Sequence, residues 1–411
     1  MTLIEINSLL KQYNGKIYIV GGAVRDKLLN IPCHDVDVVV VGIEQTIFEK
    51  LFPEAKMTGK SFPVYRMNVD NFDEVEFAFA RKERKTAAGH NGFEVVFDPS
   101  VTLKEDLYRR DLTINALAED VETHEIIDYF HGIEDIQNKR IHAVSKHFLE
   151  DPLRALRAAR QASKFHFNID NYTFDMMASC KEELKEMSQD RIVEELKKTL
   201  ATDKPSIFFE ALKTADILDV CFPFIYKLIG QTQPEKFHPE GDAYNHTMQV
   251  LDEVASQTED LSTRFAALMH DVGKGLTPKE ELPHHLKHDI RGIDIVKNLP
   301  SAYPNEWKKA AAITCYSHMK VMAMKKPAKI VDLLVKIKRN GFDVDKLALV
   351  VKTDSQTIPW FLNNDVMQKI IATKIPIPSN LIEGEKIKNY VRNERIKITK
   401  QLSLSDNSIE N

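Results

Sequence analysis

Between Gly21 and Gly42 the chain reads GGAVRDKLLNIPCHDVDVVVVG, and its closing run from Asp35 to Val41 admits few structures. Successive side chains on a strand point to opposite faces, so four consecutive valines require burial on both faces of a sheet. Asp35 and Asp37, two residues apart, then point the same way. Two carboxylates held that close repel each other, and a hard divalent cation such as Mg²⁺ relieves the repulsion through oxygen ligands. The chemistry this suggests is a two-metal clamp for phosphoryl transfer, activating a hydroxyl and steadying a departing pyrophosphate. A lone Asp-X-Asp is also what a solvated turn or a helix cap looks like. The upstream Gly21-Gly22 pair changes the balance, because glycines at a strand-to-helix junction let backbone N–H groups reach phosphate oxygens, and Arg25 adds a fork of donors.

The pattern around this stretch predicts a mixed sheet with helices. Leu3 to Tyr13 reads as an amphipathic helix, and Lys16 to Val20, Val36 to Val41, Phe62 to Val69, Val75 to Ala80 and Glu125 to Tyr129 read as strands. Arg81 to Gly92 (RKERKTAAGHNG) is expected to be a surface loop, Leu112 to Glu119 a helix, and Gly132 to Asn138 a loop with a short helix. After Ile141 strand signals nearly vanish, and apolar residues recur at helical spacing. The expected fold class is an α+β N-terminal head followed by all-α regions. The expected domains are a catalytic head over 1–140, a helical neck and body over 141–229, a histidine-bearing domain over 242–357 and a basic helical tail over 358–411. A Pro-rich polar linker, Gly230 to Gly241, separates the two helical blocks, and Pro376 to Glu383 opens the tail.

Two further head motifs carry charge in a purposeful order. In Glu105-Asp106-Leu107-Tyr108-Arg109-Arg110-Asp111, followed by LTINALA, two arginines just ahead of the expected helix suit triphosphate oxygens, with Asp111 as cap or as their orienting partner. An exposed charge run explains the same residues. In Glu150-Asp151-Pro152-Leu153-Arg154, Asp151 and Pro152 make an ordinary helix start. Yet Asp151, Arg154 and Arg157 also form one strip of a helix, offering an acceptor and donors to a base edge. Arg160 points away from Asp151 and suits a phosphate better than a base.

GGAVRD with DVD, RRDLTINALA and EDPLRALRAAR, in this order, resemble the class II tRNA nucleotidyltransferases, the CCA-adding enzymes, most closely the bacterial form with an attached HD phosphohydrolase domain. The resemblance runs from about Lys16 to the tail. It implies that Asp35 and Asp37 are catalytic and bind Mg²⁺, and that Gly22, Arg25, Arg110, Arg157 and Arg160 contact the nucleotide. It also implies that Asp151 and Arg154 act as a protein template for incoming CTP or ATP. Glu76 sits where the family has an acidic residue near the catalytic pair, as a support or third carboxylate. The loop from Arg81 resembles a flexible element that helps the pocket change between C and A. Where the family has DPY, this chain has Asp128-Tyr129-Phe130.

The second constellation is His270-Asp271 in FAALMHDVGKGLTP, with His246 upstream, His284, His285 and His288 downstream, and Asp354 further on. That order resembles the HD metal-dependent phosphohydrolases. Imidazole and carboxylate ligands suit a transition metal that polarises a phosphate. By the resemblance, His246, His270, Asp271 and Asp354 are the metal ligands, His270 and Asp271 catalytic. His285 and His288 are further ligands or phosphate contacts, and His284 is exposed. The implied activities are phosphatase, 2′-nucleotidase and 2′,3′-cyclic phosphodiesterase, with Ni²⁺ the family's frequent preference.

A net charge of −5 argues against binding nucleic acid through overall charge, though not against a local basic groove, for which Lys320 to Lys329 and Glu385 to Lys400 are candidates. Four scattered cysteines without a CxxC pair indicate neither a disulfide framework nor a cysteine zinc site. The first residues lack the pattern of a secretory signal, and no apolar run is long enough to span a bilayer, so a cytoplasmic location is expected. The expected partners are tRNA, CTP and ATP, with monomer and homodimer both open. Two alternatives remain beside CCA addition: a poly(A) polymerase of the same superfamily, and an HD phosphohydrolase whose N-terminal half only binds RNA.

Overall fold

In a computed structural model of the chain, residues 1–33, 35–59, 63–85, 93–234, 236 and 241–406 are described. The N-terminal part carries a seven-stranded sheet of order β3-β4-β5-β2-β1-β8-β9. Its strands are β1 (Lys16–Val20), β2 (Val36–Val41), β3 (Lys56–Thr58), β4 (Val64–Val69) and β5 (Phe72–Phe79), followed after the hairpin β6 (Arg81–Lys85) and β7 (Phe93–Phe97) by β8 (Leu117–Asp120) and β9 (Ile126–Asp128). The sheet is mixed, with β2 antiparallel to β1 and parallel to β5. Helices α1 (Leu3–Lys11), α2 (Gly22–Leu28), α3 (Gln45–Leu51), α4 (Leu103–Tyr108), α5 (Gly132–Gln137) and α6 (Leu153–Phe165) accompany it.

The valine run does what its composition requires. Val36, Val38 and Val40 pack with Ile6 and Leu10 of α1 and Phe48 of α3, while Val39 packs on the opposite face with Val20, Leu103 and Leu107. Burial on both faces is what keeps the strand central. Asp37 lies on the Val39 face, in register with Val20 on one side and Glu76 on the other, and Glu76 is in register with Arg66. One row of the sheet thus carries Val20, Asp37, Glu76 and Arg66 side by side.

Three local expectations change. Leu112 to Glu119 is a 3₁₀ turn at Thr113–Asn115 followed by β8, because all four residues of β8 are buried and so carry no periodicity to distinguish strand from helix. The two arginines therefore follow a helix, α4, which starts at the Thr102/Glu105 capping box. Arg81 to Lys85 is a strand paired with Phe93 to Phe97 rather than loop, since alternate residues find a partner strand, and residues 86–92 lie outside those described. Phe62, the expected start of β4, and residues 235 and 237–240 of the expected linker also lie outside them.

Beyond the head the described chain is helical apart from short pairings such as Arg140–Ile141 with Asn168–Ile169. Helices α7 (Asn171–Ser179), α8 (Lys181–Lys185), α9 (Gln189–Leu200), α10 (Ser206–Thr214), α11 (Leu218–Cys221) and α12 (Pro223–Tyr226) precede α13 (Ala243–Ala255), α14 (Leu261–Met269), α15 (His288–Lys297), α16 (Asn305–Met322), α17 (Pro327–Arg339), α18 (Val344–Ser355), α19 (Asn364–Met367) and α20 (Gly384–Asp406). The fold class is therefore α+β in the head and helical thereafter. Two compact units divide the chain: Met1–Glu195 with Ile207–Cys221, and Leu196–Ser206 with Phe222–Asn411. In the second, α14 buries every residue from Ser262 to Met269, and a core of Ile313, Val331, Leu334, Leu347 and Val351 joins α16, α17 and α18. No described helix is long and apolar enough to cross a membrane.

The end of β2 depends on a single glycine. Gly42 has φ +81°, and a Cβ there would meet the Asn14 carbonyl oxygen at 2.4 Å. Gly42→Ala is expected to cost about 1–3 kcal/mol, read as a lower midpoint in thermal unfolding by circular dichroism. An unchanged midpoint would contradict this account of the turn.

Candidate functional site

A cavity of about 640 Å³ opens on the Asp37 row of the sheet. Gly21 and Gly22, Asp37, Glu76, Arg110, Asp151, Arg154 and Arg157 all line it, together with Arg25, Arg191 and Gln161. The head motifs, separated in sequence, thus share one space. Asp35 lies just before β2, exposed, and does not line the cavity, although its charge acts on Asp37. Asp37 opens on solvent through the cavity, yet the surrounding walls raise its carboxyl above the ordinary range. Arg110 opposes that shift, and Glu76 and Asp35 add to it. A carboxyl pushed up by neighbouring carboxylates is a site that gains from a divalent cation, so the donor set fits a hard metal ion. Glu76 is already held by Arg66 through a short hydrogen bond, which suits it to support.

The glycine turn works through its backbone. Gly21 has φ +72°, and a Cβ on it would meet Arg110 Nη1 at 2.8 Å, so only glycine lets this arginine lie over the turn. Arg110 Nε is buried without a hydrogen-bond partner among the described residues, and Nη2 lies 3.4 Å from Asp106 Oδ2. Asp106, almost fully buried at the end of α4, also accepts from Arg109 Nε and Nη2 at 3.1 and 2.5 Å. Burial works against its charge, but Arg109 and Arg110 outweigh it and lower its pKa. Asp106, not Asp111, therefore orients the two arginines. The signal was its spacing of three and four from them, which reads as a contact only if the helix precedes the arginines.

Asp111 has a different task. Oδ1 accepts from the Leu112 N–H at 2.9 Å and Asn115 Nδ2 at 3.0 Å, and Oδ2 from Arg157 Nε at 2.7 Å. Asn115 in turn accepts from Arg25, whose Nε and Nη2 reach Asp26 Oδ1 at 2.8 and 2.6 Å. Arg25 is buried and lies over the Phe165 ring, so it braces the turn as much as it faces the cavity. Asp151 Oδ1 takes the Leu153 N–H at 3.1 Å, a cap-like bond, while Oδ2 takes Arg191 Nη2 at 2.8 Å. Arg154 Nη1 donates to the His147 carbonyl at 2.6 Å. Asp151 thus serves the helix start through one oxygen and anchors Arg191 through the other. Arg160 is turned away from Asp151 as expected, but it pairs with Glu195 and does not line the cavity, where the sequence had placed it on the nucleotide. Arg191 and Gln161 were not singled out in sequence, because neither stands in a motif.

The second site lies wholly in the helical unit. His246, His270, Asp271 and Asp354 bring four ligand atoms within 4.8 Å of one another, and Asp271, His288 and His318 form a second such group. His318, on α16, was missed: a lone histidine on an amphipathic helix carries no motif. His270, His288 and His318 each set Nδ1 on a backbone carbonyl, of Ala267 at 2.7 Å, His285 at 2.7 Å and Thr314 at 3.0 Å. A carbonyl only accepts, so Nδ1 carries a proton and each Nε2 is turned toward Asp271. Their distances to Asp271 oxygens are 3.3, 3.4 and 3.3 Å. His270 Nε2 and Asp271 Oδ1 are buried without a hydrogen-bond partner among the described residues. Burial disfavours a proton on His270, but Asp271 and Asp354 outweigh it and push its pKa up to about 10. The cluster calls for positive charge, and its donors fit a transition metal.

His285 does something else. Its Nδ1 meets Thr277 Oγ1 at 2.8 Å and its Nε2 the Thr232 carbonyl at 3.0 Å, so both ring nitrogens hold loops rather than a metal. His284 is exposed, as expected. Gly273 lets α15 close on the HD turn, since a Cβ there would lie 1.9 Å from the His288 carbonyl oxygen. Of the proposed basic surfaces, Lys320 pairs with Asp289, Arg392 with Asp332 and Lys397 with Glu394, so much of their charge is balanced locally.

The Asp111–Arg157 pair makes a pH prediction. Burial alone would raise the Asp111 pKa, but Arg157, Asn115 and Arg154 hold it well below the carboxylate range. A depressed carboxylate contributes stability that is full above its unfolded pKa of about 4 and is lost as pH falls toward its folded value. Arg157→Ala should therefore lower the unfolding midpoint at pH 5–7 by a constant margin that narrows below about pH 4. A margin independent of pH would mean that the pair is not its source.

Comparison with known proteins agrees with this anatomy. Residues 17–142 match the family described as poly A polymerase head domain, residues 166–228 the probable RNA and SrmB-binding site of polymerase A, and residues 243–339 the HD domain. Among solved structures, the Thermotoga maritima CCA-adding enzyme complexed with tRNA is 18% identical, covering 98% of this chain and 94% of that one, with a TM-score of 0.65. A CCA-adding enzyme in an apo form is 19% identical over 98% of this chain and 95% of that one, with a TM-score of 0.66. A tRNA nucleotidyltransferase complexed with a primer tRNA and an incoming ATP analog is 23% identical over 95% and 98%, with a TM-score of 0.57. The chain thus carries a poly A polymerase-type head domain, an RNA-binding segment and an HD domain in this order, and it has the fold of the CCA-adding enzymes.

Proposed function

We propose that this chain adds C, C and A to the 3′ end of tRNA from CTP and ATP without a nucleic-acid template. The observation that carries this reading is the polarity of the head cavity. Asp37 and Glu76 stand on its sheet wall, and Arg110, Arg154, Arg157 and Arg191 stand on its other walls, where Asp106, Asp111 and Asp151 anchor three of them by part of their donors. Carboxylates on one side suit a cation at the attacking hydroxyl, and guanidinium groups on the other suit a triphosphate. Mg²⁺ held by Asp37, with Asp35 turning in from outside the cavity to join it, would supply charge neutralisation and Lewis acidity at the transferred phosphate.

The chain's own residues do the rest. Gly21 and Gly22 let phosphate oxygens approach the backbone, and Arg110 faces them with an uncommitted buried Nε–H. Arg157 is tied to Asp111 by one nitrogen and keeps the others for the nucleotide. Asp151 and Arg154, each anchored by part of its polar set, keep one edge for the base: a carboxylate accepts about four hydrogen bonds and guanidinium donates five. Arg160 acts through Glu195 on the packing of α6 against α9 rather than on a phosphate. The division proposed for these roles is a head over 1–140, base recognition over 141–229, the HD domain over 242–357 and the tail over 358–411.

The HD site supports a second activity, release of phosphate from RNA ends as phosphatase, 2′-nucleotidase or 2′,3′-cyclic phosphodiesterase. A transition metal, Ni²⁺ by the family resemblance, would there activate water. His246, His270, Asp271 and Asp354 would hold it, His288 and His318 would add a second set of donors around the shared Asp271, and Lys274, 2.5 Å from Asp271 Oδ2, would balance the carboxylate's charge.

Incubation with tRNA ending at the discriminator base, CTP and ATP tests the transferase reading: wild type should stop after CCA, and Asp37→Ala should lose activity by about 10³-fold or more, as expected when the cation's ligand is removed. Long oligo(A) tails would instead identify a poly(A) polymerase. Arg154→Ala should blur the choice between CTP, ATP and the other nucleotides, since a site built on hydrogen bonds rejects mismatches by leaving polar groups unpaired. A uniform loss with every nucleotide would assign Arg154 to the helix start alone. His270→Ala and His318→Ala should each abolish phosphate release from a 2′,3′-cyclic RNA end and leave CCA addition intact. Phosphate release unchanged in His318→Ala would remove that residue from the site.

A further inference from the structure

A second cavity, of about 660 Å³, adjoins the head cavity and shares two of its lining residues, Arg81 and Arg109. Lys104, Glu105, Tyr108, Phe130 and His147 also line it. Its size suits a small-molecule-sized group. Tyr108, the last residue of α4, is 46% exposed although it is aromatic and sits in a wall. Its ring is braced by Phe130 at 5.6 Å and by His147, edge-on, at 5.3 Å, so it holds its orientation while one side stays open. Phe130 is itself set by Asp128, which accepts from the N–H groups of Phe130, Gly132 and Ile133 and so ties down the Asp128-Tyr129-Phe130 turn. At the rim, Tyr129 is also exposed and lies 5.5 Å from Lys104 Nζ.

Aromatic rings open on one side with cations between them are what a nucleobase and its phosphate require. An apolar ligand would not need Arg81, Lys104 and Arg109 around it, and a free triphosphate would not need Tyr108. We infer that this aromatic pocket holds the 3′-terminal base of the RNA primer, stacked on Tyr108, with its phosphodiester passing Arg81 and Arg109 and its ribose hydroxyl turned toward Asp37 in the adjoining cavity. The inference rests on the CCA-adding reading and deepens it, since the two cavities then take the two substrates: nucleotide in one, RNA end in the other. Arg109, held on Asp106 beside Arg110, links them, so one buried carboxylate sets both the triphosphate-facing and the primer-facing arginine.

The experiment uses the full chain and tRNA ending at the discriminator base, with a second RNA carrying 2-aminopurine as its 3′-terminal base. Tyr108→Ala should raise KM for tRNA about tenfold or more, the scale of one lost base–aromatic stack, while KM for CTP stays within about twofold. Tyr108→Phe should restore KM for tRNA. Binding should quench 2-aminopurine in wild type and Tyr108→Phe but not in Tyr108→Ala. Lys104→Ala, at the exposed rim, should weaken RNA binding and flatten its salt dependence, which tests the pocket independently of the ring. An unchanged KM for tRNA in Tyr108→Ala, or equal rises for tRNA and CTP, overturns the inference. If wild type extends no RNA at all, the transferase reading fails first. Tyr108-dependent quenching then still decides for the pocket, and its absence decides against it.

Discussion

A buried carboxylate holds the head site together. Asp111 is about 6% exposed, and its two oxygens take a backbone N–H, the Asn115 amide and the Arg157 guanidinium. Unpaired, such a charge would cost several kcal/mol, so every element that supplies a donor is fixed relative to it. Arg157 brings α6, Asn115 brings the 3₁₀ turn, and through Asn115 the bond to Arg25 brings α2 and the glycine turn. Asp111 touches no part of the proposed chemistry, yet Arg110 precedes it in the chain and Arg154 stands one turn before its partner. The positions of the groups that face the nucleotide follow from a charge that cannot be left alone.

What was legible in the sequence follows from where local rules and tertiary packing agree. The valine run after Asp35 and Asp37 called for a central strand, and the sheet has it with Val38 and Val40 on one face and Val39 on the other. Leu112 to Glu119 read as a helix, and β8 forms there instead because it completes the sheet beside β1. That choice displaced the arginines from the start of one helix to the end of another and transferred their orienting role from Asp111 to Asp106. The convergence of the motifs on one cavity was implied by family resemblance and not by any spacing, since residues as far apart as Gly21 and Arg191 meet only through the fold. His318 was illegible for the same reason. It occupies an ordinary interior position of α16, and only the crossing of α16 with α14 and α15 brings it to Asp271.

The two sites solve the problem of concentrated charge differently. In the head, like charges stand on an open wall: Asp37 reaches solvent, its carboxyl is raised, and Glu76 is neutralised by Arg66. A cation and a triphosphate can enter and leave such a place, as turnover with changing nucleotides demands. In the HD unit the donors are almost dry, with His270, Asp271 and His318 each about 1% exposed. Their imidazoles are locked by backbone carbonyls before any ligand arrives, so a metal bound there loses little in reorganising the protein and much by departing. One site is arranged for exchange, the other for retention.

That contrast bears on how a net acidic chain handles RNA. In the tail and the HD unit some of the cationic side chains are spent on carboxylates of their own, as Lys320 is on Asp289 and Arg392 on Asp332. In the head the arginines are only part spent. Arg109 and Arg110 both reach the Asp106 carboxylate, and Arg154 is held by the neutral His147 carbonyl, which fixes its charge without cancelling it. Fixing a cation without cancelling it leaves the field concentrated where anionic groups must converge. Specific recognition of an RNA end by this fold therefore needs no excess of positive charge over the whole surface, only a deficit of anchoring carboxylates around one cavity.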